Sequence, residues 1–225
     1  MREKQVLPVV VVGLTAALVA VIALWTLDRV SGPDQATASQ DGPAEVIEWK
    51  LVTTWPKGLP GLGAAPENFA RRVNEASGGR LRIKVFGAGE IVPAFEVFDA
   101  VSRGVAEAGH GAAYYWKGKI PASVFYTAVP FGMTAQEANG WLHYGGGLEL
   151  WRELYAPFGV VPFAGGSTGV QMAGWFNIRL NTRADLKGLK MRIPGLAGEV
   201  FDAAGGSAVR IAGGEVYTSM QTGVI

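Results

Sequence analysis

Residues 47–52 are IEWKLV and residues 81–86 are LRIKVF. Both hexapeptides largely alternate apolar and polar side chains, which is the two-residue period of a β-strand. Between them, Pro66 suits the first turn of a helix and Gly78-Gly79 suits its end. A strand, a helix and a second strand at this spacing predict two parallel strands joined by a right-handed crossover.

Strands and helices continue to alternate along the remaining sequence, which predicts an α/β fold with parallel strands. Further strands are predicted at 160–164, 170–176, 189–193 and 208–211. Helices are predicted from Pro93 to near Gly104, over 135–156 with a glycine break at 145–147, over 196–204 and from about 214. Gly223 to Ile225 look like the start of another strand, so we expect the fold to continue beyond them. A natural edge strand at this terminus is the alternative.

The composition excludes several classes of protein. The chain has 225 residues, of which 49% are hydrophobic and 17% charged, and this is too apolar for a disordered chain. Its net charge of +1 provides no strong field for nucleic acid or anionic lipid. No cysteine is present, which excludes disulfides, thiol nucleophiles, iron–sulfur clusters and a lipid anchor on cysteine. With two histidines, a histidine-rich metal site is excluded too.

The N-terminus has the pattern of an export segment. Residues 6–25 carry no charge and follow a basic start, so residues 1–30 are predicted to be a signal peptide or a membrane anchor. Ala36-Thr37-Ala38 fits a cleavage site but lies rather far from the apolar run. Residues 31–45 are a polar linker, and the folded body is expected to begin near Val46.

Gly165 to Gly169 match the G-x-S-x-G motif of the serine hydrolase elbow, with Ser167 as its nucleophile. That elbow needs a helix after the serine, whereas the residues that follow have a strand pattern. It also needs a histidine later in the chain, and both histidines precede Ser167. A glycine-rich turn is therefore the better interpretation.

Arg192 is the leading candidate for ligand binding. It lies near the carboxyl end of the strand predicted at 189–193, where ligands collect in α/β sheets. Its planar guanidinium can hold a carboxylate through two parallel hydrogen bonds. The alternative is a solvated arginine beside Lys190 on the same strand face.

Gln171 and Trp175 lie on one face of the strand predicted at 170–176. The Gln171 amide can contact an anionic ligand or a cation, although a polar edge residue is the simpler interpretation.

Three further aromatic residues are candidates for the wall of a ligand pocket: Trp55, Tyr115 and Trp116. They follow a strand or a glycine-rich turn, and aromatic rings at such points can line a pocket or fill a core. The neighbouring Lys117 predicts that Trp116 is partly exposed.

The chain resembles the solute-binding proteins of tripartite ATP-independent periplasmic (TRAP) transporters, of the dicarboxylate-binding type, from about Val46 to Ile225. The most specific part is DLKGLKMRIP at Asp185–Pro194, supported by GGEVY at Gly213–Tyr217 and QTGVI at Gln221–Ile225. GVQMAGWF at Gly169–Phe176 looks most like the subgroup that binds 2-oxo acids.

The resemblance implies a two-lobed, periplasmic-binding-protein-like α/β fold without catalysis. The first lobe would cover residues 46–165, and residues 166–225 would be part of a second lobe, since members of this family run well past the position of Ile225. Arg192 would clamp the carboxylate. Gln171 would be a ligand of a cation, sodium or calcium, beside it.

The resemblance also implies an exported, periplasmic receptor that delivers a small carboxylate to membrane permease subunits. If the N-terminal segment were kept, the receptor would be anchored to the inner membrane. Three alternatives stay open from the sequence: an anchored ligand-sensing domain of the same fold, a secreted serine hydrolase and a structural envelope protein.

Overall fold

The computed structural model describes residues 18–19, 21–22 and 45–225. The predicted export segment and linker therefore lie almost entirely outside the described residues. Leu18, Val19, Val21 and Ile22 are helical and exposed. Within the described ranges, no helix is both long enough and apolar enough to cross a bilayer. Residues 45–225 form one compact unit, and the predicted division into lobes at 165 stays a prediction.

A three-stranded parallel sheet begins this unit, in the order β2-β1-β3. Its strands are β1 (Ile47–Thr53), β2 (Leu81–Phe86) and β3 (Ala108–His110), and α1 (Ala64–Ala76) joins the first two. The predicted parallel pairing is confirmed, with Ile47 opposite Leu81 and Thr53 opposite His110. Because β1 has a neighbour on both sides at its carboxyl end, Leu51 to Thr53 are buried there.

The core lies around this sheet and beneath the helices that follow it. These helices are α2 (Val97–Ser102), α3 (Ala135–Tyr144) and α4 (Gly147–Tyr155). A capping box at Thr134 and Glu137 begins α3, and the predicted glycine break separates α3 from α4. Tyr126 stacks between Trp141 and Trp151, with ring centroids 5.4 and 4.8 Å away. Short 3-10 turns complete this part: Ala94–Glu96, Ala113–Trp116, Pro121–Tyr126 and Ala156–Phe158.

A second, two-stranded parallel sheet is formed by β4 (Lys190–Arg192) and β5 (Ser207–Val209). The connecting helix, α5 (Leu196–Ala204), covers the predicted 196–204, and Phe201 is its buried anchor. A 3-10 turn at Gly213–Glu215 leads into α6 (Val216–Gln221), and another at Arg183–Leu186 precedes β4.

The predicted strands at 160–164 and 170–176 are wrong, because these residues form no regular element. A strand needs a hydrogen-bonded neighbour as well as an alternating pattern, and this segment pairs with neither sheet. Several of its apolar side chains face solvent instead: Val170 is 87% exposed and Trp175 is 86% exposed. Gly223 to Ile225 likewise form no strand, and the Val224 amide donates to the Ser219 carbonyl at the end of α6.

Candidate functional site

The candidate site lies where the carboxyl ends of strands from both sheets meet. Trp55 follows β1, His110 ends β3 and Arg192 ends β4. The Thr54 amide donates to the His110 carbonyl at 2.9 Å, which fixes the exits of β1 and β3 side by side. Ligands in open α/β sheets bind beyond this edge.

Arg192 is half-buried and held by two hydrogen bonds on one side of its guanidinium. Nε donates to the Ile211 carbonyl at 3.0 Å, and Nη2 donates to the Tyr115 hydroxyl at 2.9 Å. These bonds use two of the five N–H groups that an arginine carries. Within the described residues, no further hydrogen bond is formed at the end of the guanidinium that carries Nη1 and the second Nη2 proton, and the Tyr114 phenol lies near Arg192. That end has the fork geometry that accepts a carboxylate.

Aromatic rings connect Arg192 to the exits of the first sheet. Tyr115, the partner of Arg192, is 5% exposed and lies with its ring centroid 6.3 Å from that of Trp55. Trp55 in turn lies 5.2 Å from the His110 ring, and Tyr114 packs edge-on against Tyr115 at 4.8 Å. The structure therefore brings two predicted aromatics, Trp55 and Tyr115, next to the predicted arginine.

Two titratable groups at this edge, Tyr114 and His110, have pKa values shifted in favour of their neutral forms. Burial raises the pKa of the Tyr114 phenol, and adjacent Tyr115 adds to this effect while Arg192 opposes it. Burial lowers the pKa of His110, against the Leu62 carbonyl, which raises it. The His110 Nε2 atom is buried and has no partner among the described residues. Neither shift puts a negative charge beside Arg192, so its positive charge stays available to an anionic ligand.

Glycines let the backbone around the second sheet approach this aromatic wall closely. A Cβ atom added to Gly213 would lie 2.9 Å from Trp55 Cδ1, and one added to Gly195 would lie 2.9 Å from Tyr114 Cβ. Both distances are shorter than a side chain tolerates, so glycine is required at these positions for the observed packing.

Arg210 is a residue of the site that the sequence analysis missed. It directly follows β5, and its Nη2 donates to the Tyr115 carbonyl at 2.9 Å. Its guanidinium also lies over the Phe95 ring, 4.0 Å from the centroid. The parallel pairing of β4 and β5 places Val209 opposite Arg192, so both arginines leave the same sheet edge. The sequence does carry a signal for this contact: the strands predicted at 189–193 and 208–211 each have an arginine near the carboxyl end.

Gln171 and Trp175 do not join this cluster of contacts, whereas Trp116 packs edge-on against Tyr115, with ring centroids 6.1 Å apart. Gln171 is exposed, and its amide donates to the Thr168 hydroxyl at 2.6 Å. Trp175 faces solvent. The expected partial exposure of Trp116 is wrong: its ring is 8% exposed and packs in the core, 5.7 Å from Phe98. Lys117 turns away from that ring and pairs with Glu199.

The hydrolase elbow lacks its structural context. Ser167 lies in an exposed loop, where its hydroxyl accepts a hydrogen bond from the Gly169 amide at 3.1 Å. No strand leads into this loop and no helix follows it directly, as an elbow requires.

Comparison with known proteins identifies the family. The family described as bacterial extracellular solute-binding protein, family 7 (DctP), matches residues 51–225. The chain belongs to this family. It is 45% identical over 206 residues to the monocarboxylate 2-oxoacid-binding periplasmic protein of a Nostoc species, covering 92% of this chain and 56% of that protein.

Two solved TRAP periplasmic solute-binding proteins have similar structures. The protein from Pseudoalteromonas atlantica, with bound sodium and pyruvate, is 48% identical with a TM-score of 0.78. The protein from Colwellia psychrerythraea, with bound calcium and pyruvate, is 45% identical with a TM-score of 0.77. Each match covers 80% of this chain and 55% of the solved chain.

These DctP-family matches confirm the predicted fold class, and their partial coverage agrees with an incomplete second lobe. This chain spans slightly more than half the length of its relatives. Proteins of this family are extracellular solute receptors of transport systems and not enzymes, so the hydrolase alternative is set aside.

Proposed function

We propose that this protein is the extracytoplasmic receptor of a TRAP transporter and captures a small monocarboxylate, in particular a 2-oxo acid such as pyruvate. The observation that carries the proposal is the geometry of Arg192, whose guanidinium is fixed by Tyr115 and Ile211 on one side and keeps its fork on the other. The named relatives, which bind 2-oxo acids or pyruvate, support the ligand class.

The physics of the site suits a small anion with an apolar end. A carboxylate that leaves water loses hydration worth several kcal/mol, and a bidentate arginine in a partly buried setting offsets that loss. Trp55 and Tyr115 keep the surroundings of this edge apolar, although both side chains are nearly buried in the core, at 7% and 5% exposure. Tyr114 is kept in its neutral form, so it adds no repulsive charge.

A cation beside the ligand is part of the proposal, but the described residues do not by themselves make a cation site. Within residues 45–225, no cluster of three or more histidine, aspartate or glutamate side chains is placed to hold a metal. Gln171 could contribute one oxygen, because its amide nitrogen already donates to Thr168. Sodium and calcium prefer several oxygen ligands, so the remainder would have to come from the bound acid and from other parts of the protein.

The same proposal includes a membrane permease as the partner that receives the ligand, and export directed by residues 1–30. Retention of that segment as an inner-membrane anchor is the finer alternative. Fractionation of cells that express the complete reading frame distinguishes the two: a mature protein lacking residues 1–30 in the soluble periplasmic fraction supports cleavage, and a full-size protein in the membrane fraction supports an anchor.

The test of ligand binding is thermal unfolding of the complete gene product with a panel of carboxylic acids. A ligand that binds the native state raises the melting temperature by mass action, and we expect the largest rise with 2-oxo acids. Failure of every acid to shift a well-folded protein would refute the proposed function. A rise with other acids alone would retain the receptor and reject the 2-oxo acid.

Arg192→Lys and Arg192→Ala test the residue assigned to the carboxylate. Lysine keeps the charge but loses the planar fork, so we expect its Kd to rise at least about tenfold, and more for alanine. Calorimetric titration with pyruvate measures both. Arg179→Ala is the matched control, since Arg179 is exposed and has no hydrogen bond or ion pair among the described residues. Equal affinity of Arg192→Ala and the wild type would remove Arg192 from the site.

A further inference from the structure

Arg192 belongs to a closed ring of contacts that Arg210 completes. Arg192 donates through Nη2 to the Tyr115 hydroxyl and through Nε to the Ile211 carbonyl. Arg210, the residue before Ile211, donates to the carbonyl of the same Tyr115 at 2.9 Å. The ring therefore runs from Arg192 through the Tyr115 side chain to its backbone, across to Arg210, and back through Ile211.

Arg210 is held in this ring by an aromatic stack. Its guanidinium lies 4.0 Å from the centroid of Phe95, well inside the range of a cation–π contact. Phe95 also packs edge-on against Tyr115, with centroids 5.0 Å apart. Arg210 thus holds the Tyr115 backbone through a hydrogen bond and packs on the Phe95 ring, which in turn packs against the Tyr115 ring. These contacts aim the Tyr115 hydroxyl at Arg192.

We propose that Arg210 is a positioning residue for the carboxylate site: it holds Tyr115 and the 210–211 backbone so that the Arg192 fork faces the ligand. This inference rests on the proposed function. In this role Arg210 acts through its neighbours: one of its N–H groups donates to the Tyr115 carbonyl and its planar face lies over Phe95. Fixing a guanidinium before the ligand arrives removes side-chain freedom that binding would otherwise have to remove.

The ring predicts that Arg210 and Tyr115 act as one unit. Arg210→Ala is expected to raise the Kd for pyruvate about tenfold, because it removes one charge-assisted hydrogen bond and one cation–π contact. Tyr115→Phe removes the hydroxyl that accepts from Arg192, which opens the ring of contacts at that point, and is also expected to weaken binding. In the Tyr115→Phe background, Arg210→Ala should therefore weaken binding clearly less than in the wild type, since the route through the Tyr115 hydroxyl is already cut and only the route through Ile211 remains.

The experiment is a double-mutant cycle on the complete gene product, measured by calorimetric titration with pyruvate. Arg179→Ala removes the same charge without touching the ring and is expected to leave the Kd within about twofold of the wild type. Should Arg210→Ala not fold, Arg210→Lys takes its place in the cycle, because lysine keeps the charge and loses the planar stack.

Strong coupling between Arg210 and Tyr115 with an unaffected Arg179→Ala supports the positioning role. Additive losses at Arg210 and Tyr115 would overturn it, and so would an equal loss in Arg179→Ala, which would mean that net charge alone is responsible. Unchanged affinity in Arg210→Ala, with a wild type that binds, overturns this inference and leaves the proposed function standing. A wild type that binds no carboxylate refutes the proposed function itself.

Discussion

At the scale of single residues, the site is defined by what Arg192 already contacts. Two fixed hydrogen bonds decide which side of the guanidinium faces a ligand, and the two acceptors come from distant parts of the chain, Tyr115 and Ile211. Tyr115 is therefore more than an apolar wall. Its hydroxyl orients the arginine while its ring lines the same edge.

His110 predicts a pH dependence of stability. Burial lowers its pKa in the folded state, so in mild acid the unfolded chain binds the proton more readily. Stability is then complete above the unfolded pKa of about 6.5 and is lost as the pH falls through that value toward the lower folded pKa. We expect the free energy of unfolding in urea to fall on this acid side, and His110→Gln to reduce the fall.

The exposed His143 provides the control for this measurement. His143→Gln should leave the acid-side loss of stability as it is in the wild type. Equal slopes for His110→Gln and the wild type would show that the acid sensitivity has another source.

At the scale of elements, the turn after β5 determines how closely the second sheet approaches the aromatic wall. Gly213 lies in this turn and faces the edge of Trp55. Gly213 does not have a positive φ, so alanine is not excluded by backbone strain. The added methyl group would instead collide with the indole ring, and such overpacking costs about 1–3 kcal/mol.

Gly213→Ala is therefore expected to weaken pyruvate binding about tenfold by holding the turn away from Trp55. Gly118→Ala is the matched control, because a Cβ atom there has open space and its φ is not positive either. Calorimetric titration of both variants measures the effect. Comparable affinities in the two would mean that the turn and Trp55 do not have to touch when ligand binds.

At the scale of the whole molecule, a two-lobed receptor is expected to close on its ligand. Closure removes water around the carboxylate–arginine pair, and release requires that open and closed states differ by only a few kcal/mol. Small-angle X-ray scattering of the complete gene product should show a smaller radius of gyration with pyruvate, and no change in Arg192→Ala. An unchanged radius in a wild type that binds pyruvate would exclude large-scale closure.

The local elements and their class follow from the amino-acid sequence alone. The alternation at 47–52 and 81–86, with the helix between them, predicted the parallel pair β1–β2, and the pattern at 189–193 placed Arg192 at a strand end. The family likeness of Asp185–Pro194 was also visible in the sequence and is confirmed by the family match. These features depend on short-range periodicity and on residues adjacent in the chain, which a sequence displays directly.

Which distant residues meet depends on how the chain folds. Residues 170–176 have a strand pattern but no strand to pair with, and Trp116 is buried although a lysine follows it. The ring of Arg192, Tyr115, Arg210 and Ile211 joins residues up to 95 positions apart. Hydrogen bonds and burial depend on partners brought together by folding, so local patterns predicted the elements of this site but not the contacts that complete it.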